Sequence, residues 1–408
     1  YGDHRDLHLS LRRQRQMCIR DRFYTMESKY GELGVDVYKR GIEVFKEATS
    51  NLFPEAFCVV TQDPESPKKG IVLHTDGAGS KPVQSYLHWR ETGDPECFKG
   101  LAQDVIAMNI DDILCVGAKP VGFVDYVAIN SLKIDRETFL KALNSGFREC
   151  LENLKRLGLE LAFSGGETAD LPDQLRTLDV SGTIFGTLNL EKAVTGEMIQ
   201  PSDLIIGFSS DGKTRYEKNL NSGIMCNGIT LARHCFMKRE YCLKYPELVD
   251  SKLKIYYGRF AIDDYVDELE MTVGEAILSP CRMFAPIVNS ILMEFGDYVS
   301  GLVHNTGGGQ TKCLRIGRDI HYVKDGLGEP PPIFKLIKEE SEESWENMYR
   351  IYNMGGGIGV IAKKEVADDI IDLAEKYGLE AKIIGRCLRS DEGNKLTILS
   401  PYGKFLYP

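Results

Sequence analysis

No uninterrupted apolar run in the 408 residues approaches the roughly 18 that a membrane-spanning helix needs, so a soluble protein is expected. Nor is there an excess of positive charge. The formal net charge of −10 argues against general nucleic-acid binding, while a local basic pocket can still take small anionic substrates. No C-x-x-C pair occurs among the eleven cysteines, which are odd in number and scattered from Cys18 to Cys387. Free thiols in a reducing, cytoplasmic compartment fit that pattern better than a disulfide framework or a zinc site. The nearest thing to a metal-binding run, Cys226, His234, Cys235 and Cys242, is irregularly spaced and reads as core or surface residues. Short repeats and low-complexity tracts are also missing. What remains, 43% hydrophobic and 27% charged, is ordinary for a soluble enzyme with real cores.

The length exceeds what one core usually supports and calls for two domains of about 150 to 200 residues. Residues 1–22 hold six arginines and no lysine, against 16 arginines and 28 lysines in the rest, and apolar periodicity starts only after Met26. Residues 1–25 are therefore expected to be a non-native or disordered tail, with Met26 as the start. The polar stretch EKAVTGEMIQPSD, Glu191 to Asp203, is the best boundary, giving domains over 26–195 and 196–408. Spacing predicts an amphipathic helix over Tyr38–Leu52, a strand at Ile71–Thr75, a helix over Phe98–Leu114, a strand at Val121–Ile129 and a long helix that Gly158 ends. The run LELAF, Leu159–Phe163, reads as a strand delivering a loop, and another strand follows over Leu178–Leu188. The second half repeats the style, with strands at Leu204–Phe208 and Val299–His304 and helices over Pro286–Phe295, Ile333–Glu339 and Glu365–Tyr377.

Several of these junctions carry residues suited to chemistry. SGGETADLP, Ser164–Pro172, combines Gly165 and Gly166 with Glu167 and Asp170, a flexible backbone beside acceptors that suit a hard cation. DGAGSK follows a strand with Asp76 as a possible ligand, a glycine turn for phosphate, and the compact charge of Lys81. On the Phe98–Leu114 helix, Asp104 and Asp111 fall about 20° apart on one face, with Asp112 about 80° to the side. Like charges on an otherwise apolar helix favour a cation site over a solvated face. TGGGQ, Thr306–Gln310, and NMGGGIG, Asn353–Gly359, are two more glycine loops, and His304 before the first is a candidate for proton transfer or for a structural role. GFSSDGKT, Gly207–Thr214, matches the P-loop pattern letter for letter, but Asn219, Asn221, Ser222 and Gly223 soon after it do not open a helix, and Asp211 would face phosphate.

The ordered set DGAGSK, QDVIAMNIDDILCVGAKP, GGETADLP, TGGGQ, the PIF helix and NMGGGIG, spanning about Tyr30 to the C-terminus, resembles the aminoimidazole ribonucleotide synthetase (phosphoribosylformylglycinamidine cyclo-ligase) family. The likeness is greatest to its longer bacterial branch, which carries an insertion like GKTRYEKNLNSG. The resemblance implies an α/β (α+β) two-domain synthetase fold: an N-terminal mixed domain forming a β-barrel between the subunits of a homodimer, and a C-terminal α/β domain. It implies ATP-dependent ring closure of formylglycinamidine ribonucleotide to aminoimidazole ribonucleotide, with magnesium as cofactor. Carried onto this chain, Asp76, Asp104, Asp111, Asp112 and Glu167 would serve the metal, with Asp170 nearby. Asp76, Gly77, Gly79, Ser80, Lys81, Gly165, Gly166, Thr168, Gly307, Gly308 and Gly309 would bind ATP or phosphate and Lys81 would be catalytic, with His304, from its place before the glycine loop, as the second catalytic candidate. Where many members have a histidine in S-G-x-H-S-N-G, this chain has Met225 followed by Cys226, and NLFPEAFC replaces their glycine-rich N-terminal region. Relatives in the same ATP-binding superfamily are the alternative. Selenophosphate synthetase needs a cysteine or selenocysteine close before an N-terminal lysine, and none lies between Met26 and Lys46; hydrogenase maturation factors need a cysteine-bearing tail, whereas this chain ends YGKFLYP. A scaffold that had lost its chemistry would have no use for the carboxylates.

Overall fold

The computed structural model describes residues 28–45 and 47–408; the expected tail, residues 1–25, lies outside them. Two sheets organise the chain. The first has the order Thr61–Gln62, Lys69–Gly77, Leu178–Asn189, Lys119–Ile129, Ala162–Asp170. Neighbours are antiparallel except the last pair, which is parallel because the Arg136–Arg156 helix carries the chain back between them. That helix ends in Gly158 at φ +85°, the left-handed residue its sequence predicts. Alternation along Leu178–Asn189 turns Val180, Ile184 and Leu188 inward, where Lys99–Leu114 covers the sheet. The opposite face is left open.

The second sheet has the order Val299–His304, Gly356–Ala362, Leu204–Ser209, Ala381–Arg389, Ile320–Lys324, Lys395–Ser400, Gly403–Tyr407. Its Ala285–Phe295 helix packs against Lys99–Leu114, so that buried helix of the first unit also touches the second. The described cysteines are all free, and no helix among the described residues is long and apolar enough to cross a membrane.

Three expectations are corrected. The GGETAD segment is not a loop after a strand. It is the strand itself, Ala162–Asp170, and its glycines serve the pairing: an extra residue bulges near Gly165, at φ +99°, and a Cβ on Gly166 would fall 1.7 Å from Asp125 Oδ1. NMGGGIG is likewise mostly strand, since Gly356 onward lies in Gly356–Ala362. Among the described residues of Tyr38–Leu52 there is no long helix, only a 3-10 turn at Ile42–Phe45 with Ile42, Val44 and Phe45 exposed. A short amphipathic helix needs a surface to bury its apolar stripe, and here that stripe faces solvent.

Candidate active site

The carboxylates of the Lys99–Leu114 helix part company in a way the helical spacing foretells. Asp104 and Asp111, two turns apart on one face, both accept backbone N–H groups from the segment leading into Ala285–Phe295. Cys281 N donates to Asp104 Oδ1 at 2.7 Å and Phe284 N to Asp111 Oδ2 at 3.1 Å. Asp104 also holds Lys81, whose Nζ lies 2.8 Å from Oδ1 and 2.5 Å from Ser279 O. Both side chains are buried. Burial works against the charge of Lys81, and the Asp104 carboxylate more than offsets it. Lys81 and Asp104, expected at phosphate and metal, thus form a strut between the two units. Burial also pushes the Asp111 carboxyl up, to about 7.

Asp112, turned to the side, enters a different cluster. His304 Nδ1 lies 2.6 Å from its Oδ1, His74 Nε2 3.3 Å and Lys312 Nζ 3.9 Å from its Oδ2. Burial alone would raise its carboxyl, but Lys312 and the two imidazoles hold it well below the usual range. His74 is presented by Lys69–Gly77 two residues before Asp76 and hence on the same face of the strand. Burial and the charge of Asp112 push the Asp76 carboxyl up. Asn109 ties the group together: its Nδ2 donates to Asp76 O and Val105 O, and its Oδ1 faces His74 Nδ1 at 3.0 Å.

Beside these carboxylates the TGGG loop carries positive charge. Lys312 donates to Thr306 Oγ1 and lies over the Phe57 ring at 4.6 Å. A Cβ on Gly307 would be 3.9 Å from Lys39 Nζ and 3.4 Å from Asn227 Oδ1. Burial and the charges of Lys312 and Arg315 push the Lys39 ammonium down. A Cβ on Gly308 would meet Lys312 Cβ and Thr311 Oγ1 only at 3.9 Å, ordinary contact, whereas Gly309 is explained by packing, because its Cβ would come 2.3 Å from Tyr352 O. Cations gathered beside a glycine loop suit a phosphate.

The expected site residues therefore fall into three places. Asp76, Asp112, His304, Gly307 and Gly308 come together. Lys81, Asp104, Gly79 and Ser80 sit in the contact between units, where a Cβ on Gly79 would be 2.7 Å from Cys226 O and Ser80 bonds Thr230 and Arg233. Gly165, Gly166, Glu167 and Thr168 lie on the edge strand, and Gly77, Ser181, Tyr126 and Glu167 form one row across it. Three strand spacings, about 14 Å, separate Gly77 from Glu167. Asp170 pairs with Arg136 at the surface. His304 has no exposed surface, and its Nε2 makes no hydrogen bond and lies 3.9 Å from Asp111 Oδ2, so it acts on a ligand through Asp112.

Sequence reasoning missed His74, Asn109, Lys39, Lys312 and Arg315. The signals for two groups were there: His74 shares a strand face with Asp76, and Lys312 and Arg315, three apart in the 3-10 helix Gly309–Arg315, project together. The P-loop look-alike is excluded by polarity. Its carbonyls converge on the buried Arg282 guanidinium, with Ser209 O at 2.8 Å, Asp211 O at 2.7 Å and Gly212 O at 3.0 Å, while Glu217 closes the other side. A phosphate cradle needs N–H groups pointing inward.

Comparison with known proteins places the chain in a family. Residues 56–188 match the family model of the AIR synthase related protein N-terminal domain, and residues 285–394 that of the C-terminal domain. A phosphoribosylformylglycinamidine cyclo-ligase from Methanocaldococcus jannaschii is 33% identical over 80% of this chain and 81% of its own length. The chain belongs to the AIR synthase family. Another member, the cyclo-ligase of Alkaliphilus metalliredigens, is 30% identical over 91% of this chain and 97% of its own. The AIR synthase fold recurs in the solved structure of AaThiL complexed with AMPPCP and TMP, with a TM-score of 0.54, 13% identity and coverage of 90% and 94%. It recurs also in T. maritima PurL complexed with FGAR, with a TM-score of 0.54 and 13% identity, over 90% of this chain and 49% of that one. At such identities these two speak for the fold alone.

Proposed function

We propose that the protein closes the imidazole ring of aminoimidazole ribonucleotide from formylglycinamidine ribonucleotide, consuming ATP and releasing ADP and phosphate, in purine biosynthesis. The cyclo-ligases among its relatives support this reading. The structural observation that carries it is the meeting of Asp76, Asp112 and His74 with Lys312, Lys39 and Arg315 around Gly307 and Gly308. Carboxylates for a metal-bound nucleotide stand beside cations for a phosphate, as phosphoryl transfer requires.

An amide oxygen leaves poorly, so the formyl oxygen must first be phosphorylated, after which an amidine nitrogen attacks the activated carbon. Lys312, held by Thr306, would shield charge on the transferring phosphoryl group, and Gly307 and Gly308 let backbone N–H groups approach it. His304 fixes the orientation of Asp112 by donating from Nδ1. The residues around the substrate must also keep water from the activated intermediate.

Magnesium fits Asp76 and Asp112, two oxygen donors whose mutual repulsion a cation relieves; Asp104 and Asp111 are taken by the Cys281–Phe284 segment, and Glu167 is remote in one protomer. When bound, it neutralises phosphate charge. The open face of the first sheet, where Leu73, Val124 and Tyr126 are exposed, supports the reading of a homodimer, since its closure against a second copy would form the implied barrel.

The test is direct. Purified protein given formylglycinamidine ribonucleotide and Mg-ATP is expected to yield aminoimidazole ribonucleotide with stoichiometric ADP. Folded dimer that makes no product would sink the assignment.

A further inference from the structure

Cys58 ends the NLFPEAFC segment, and its buried thiol donates to Asp112 O at 3.2 Å. One ligand atom each from Cys58, His74 and Asp112 lie within 4.8 Å of one another. The contact between His74 Nε2 and Asp112 Oδ2 is 3.3 Å. Two ligands bound at about 2.0–2.1 Å and at the tetrahedral angle stand about 3.3–3.4 Å apart, so this edge already has the span zinc coordination needs.

The surroundings orient the same atoms. Asn109 spends both amide hydrogens on Asp76 O and Val105 O, so its Oδ1 can only accept from His74 Nδ1. His74 therefore carries a proton on Nδ1 and, when neutral, turns a lone pair on Nε2 toward a carboxylate oxygen. Two acceptors facing each other need a proton or a metal ion between them. On the other side, His304 Nδ1 holds Asp112 Oδ1, and Oδ2, with Lys312 Nζ no nearer than 3.9 Å, is the oxygen turned to His74 and offered as the third ligand. Outer hydrogen bonds that fix the tautomer of a ligating imidazole and the pose of a ligating carboxylate are the usual support of a metal centre.

We propose that Cys58, His74 and Asp112 form a binding site for a borderline divalent cation of the zinc class. A thiolate, an imidazole and a carboxylate select zinc or cobalt over magnesium, which prefers six oxygens. With three protein ligands the fourth position stays open to water or a substrate oxygen. Binding replaces the S–H bond of Cys58 by a sulfur–metal bond and releases one proton to solvent. Asp112 is shared with the magnesium set proposed above, so the two ions are alternatives, but the site itself does not depend on the cyclisation reading.

Cobalt tests it without turnover. Metal-free full-length protein, with no nucleotide, is titrated with Co2+ and read by absorption. One equivalent is expected to produce a thiolate-to-cobalt charge-transfer band that Zn2+ abolishes and excess Mg2+ does not. Cys58→Ser should lose that band, His74→Ala should weaken cobalt binding by roughly tenfold or more, and Cys226→Ser should change nothing. No thiolate band in the wild type, or a band surviving Cys58→Ser, overturns the proposal. So does its loss in Cys226→Ser, which would move the ion to the buried Asp104, Cys226 and Cys281 cluster. Should Cys58→Ser not fold, X-ray absorption of the wild-type zinc protein decides: one sulfur at about 2.3 Å is expected, and a shell of nitrogen and oxygen alone overturns it.

Discussion

A carboxylate buried from water keeps its charge only among donors, and Asp104 and Asp112 do so to different ends. Asp104 neutralises Lys81, and both are sealed in the contact between the two units. Asp104→Asn would strand that ammonium, and chemical unfolding should register a loss of about 3–5 kcal/mol before any effect on turnover is considered. Unchanged stability would show that Lys81 finds another partner. Asp112 instead keeps company with groups a ligand can displace. Lys312→Ala removes the cation between Asp112 and Thr306, and kcat/KM should fall by roughly 10²-fold with the unfolding midpoint retained. His234 offers a residue whose effect is on stability alone. Burial, with the charge of Arg233, lowers it from 6.5 to about 3, so the unfolded chain binds more protons below pH 6.5. Its neutral burial costs nothing above that pH and costs progressively more as pH falls toward 3. Near pH 4.5 the cost is about 2–3 kcal/mol, and His234→Gln should flatten the acid limb of the stability curve by that amount; parallel curves would refute the assignment.

At the scale of elements, legibility in the sequence follows from how local the cause is. Val299–His304 and Lys99–Leu114 are readable to within a residue because an apolar run or a strong period meets a surface that buries it. The pairing of Asp104 with Asp111 on one face is readable too, since it is helix geometry. Which neighbour receives them is not: Cys281 and Phe284 are more than 170 residues away in sequence. The same limit explains Ala162–Asp170. Glycines read as loop until Asp125, on the neighbouring strand, is seen to occupy the space a Cβ on Gly166 would need. A pattern match fails for the converse reason. Gly207–Thr214 has the letters of a P-loop, yet Arg282 gathers its carbonyls and Lys213 is left exposed. Lys213→Ala should therefore leave ATP affinity within about twofold by equilibrium binding, well under the roughly 1.4 kcal/mol of a tenfold change. A tenfold loss would restore that loop to the site.

For the molecule as a whole, the first sheet poses a problem that one protomer does not solve. Its inner face is covered by Lys99–Leu114, while Leu73, at 66% exposure, and Val124 and Tyr126 stand on the other face beside Thr75 and Thr183. An apolar sheet face left in water invites a partner, and the edge strand Ala162–Asp170 adds unpaired backbone groups along one side. Nothing in a single chain's site requires Glu167, three strands from Gly77, but a barrel closed by a second copy would bury this face and bring its edge against another surface. The energetics can be bounded. With Leu73 66% and Val124 37% exposed, completing their burial in both copies contributes on the order of 3 kcal/mol. Leu73→Lys with Val124→Lys should therefore weaken dimerisation by at least about 10²-fold, and sedimentation at micromolar concentration should show a folded monomer. Wild-type protein that sediments as a monomer, or a double variant that stays dimeric, would mean that this face meets something other than its own copy.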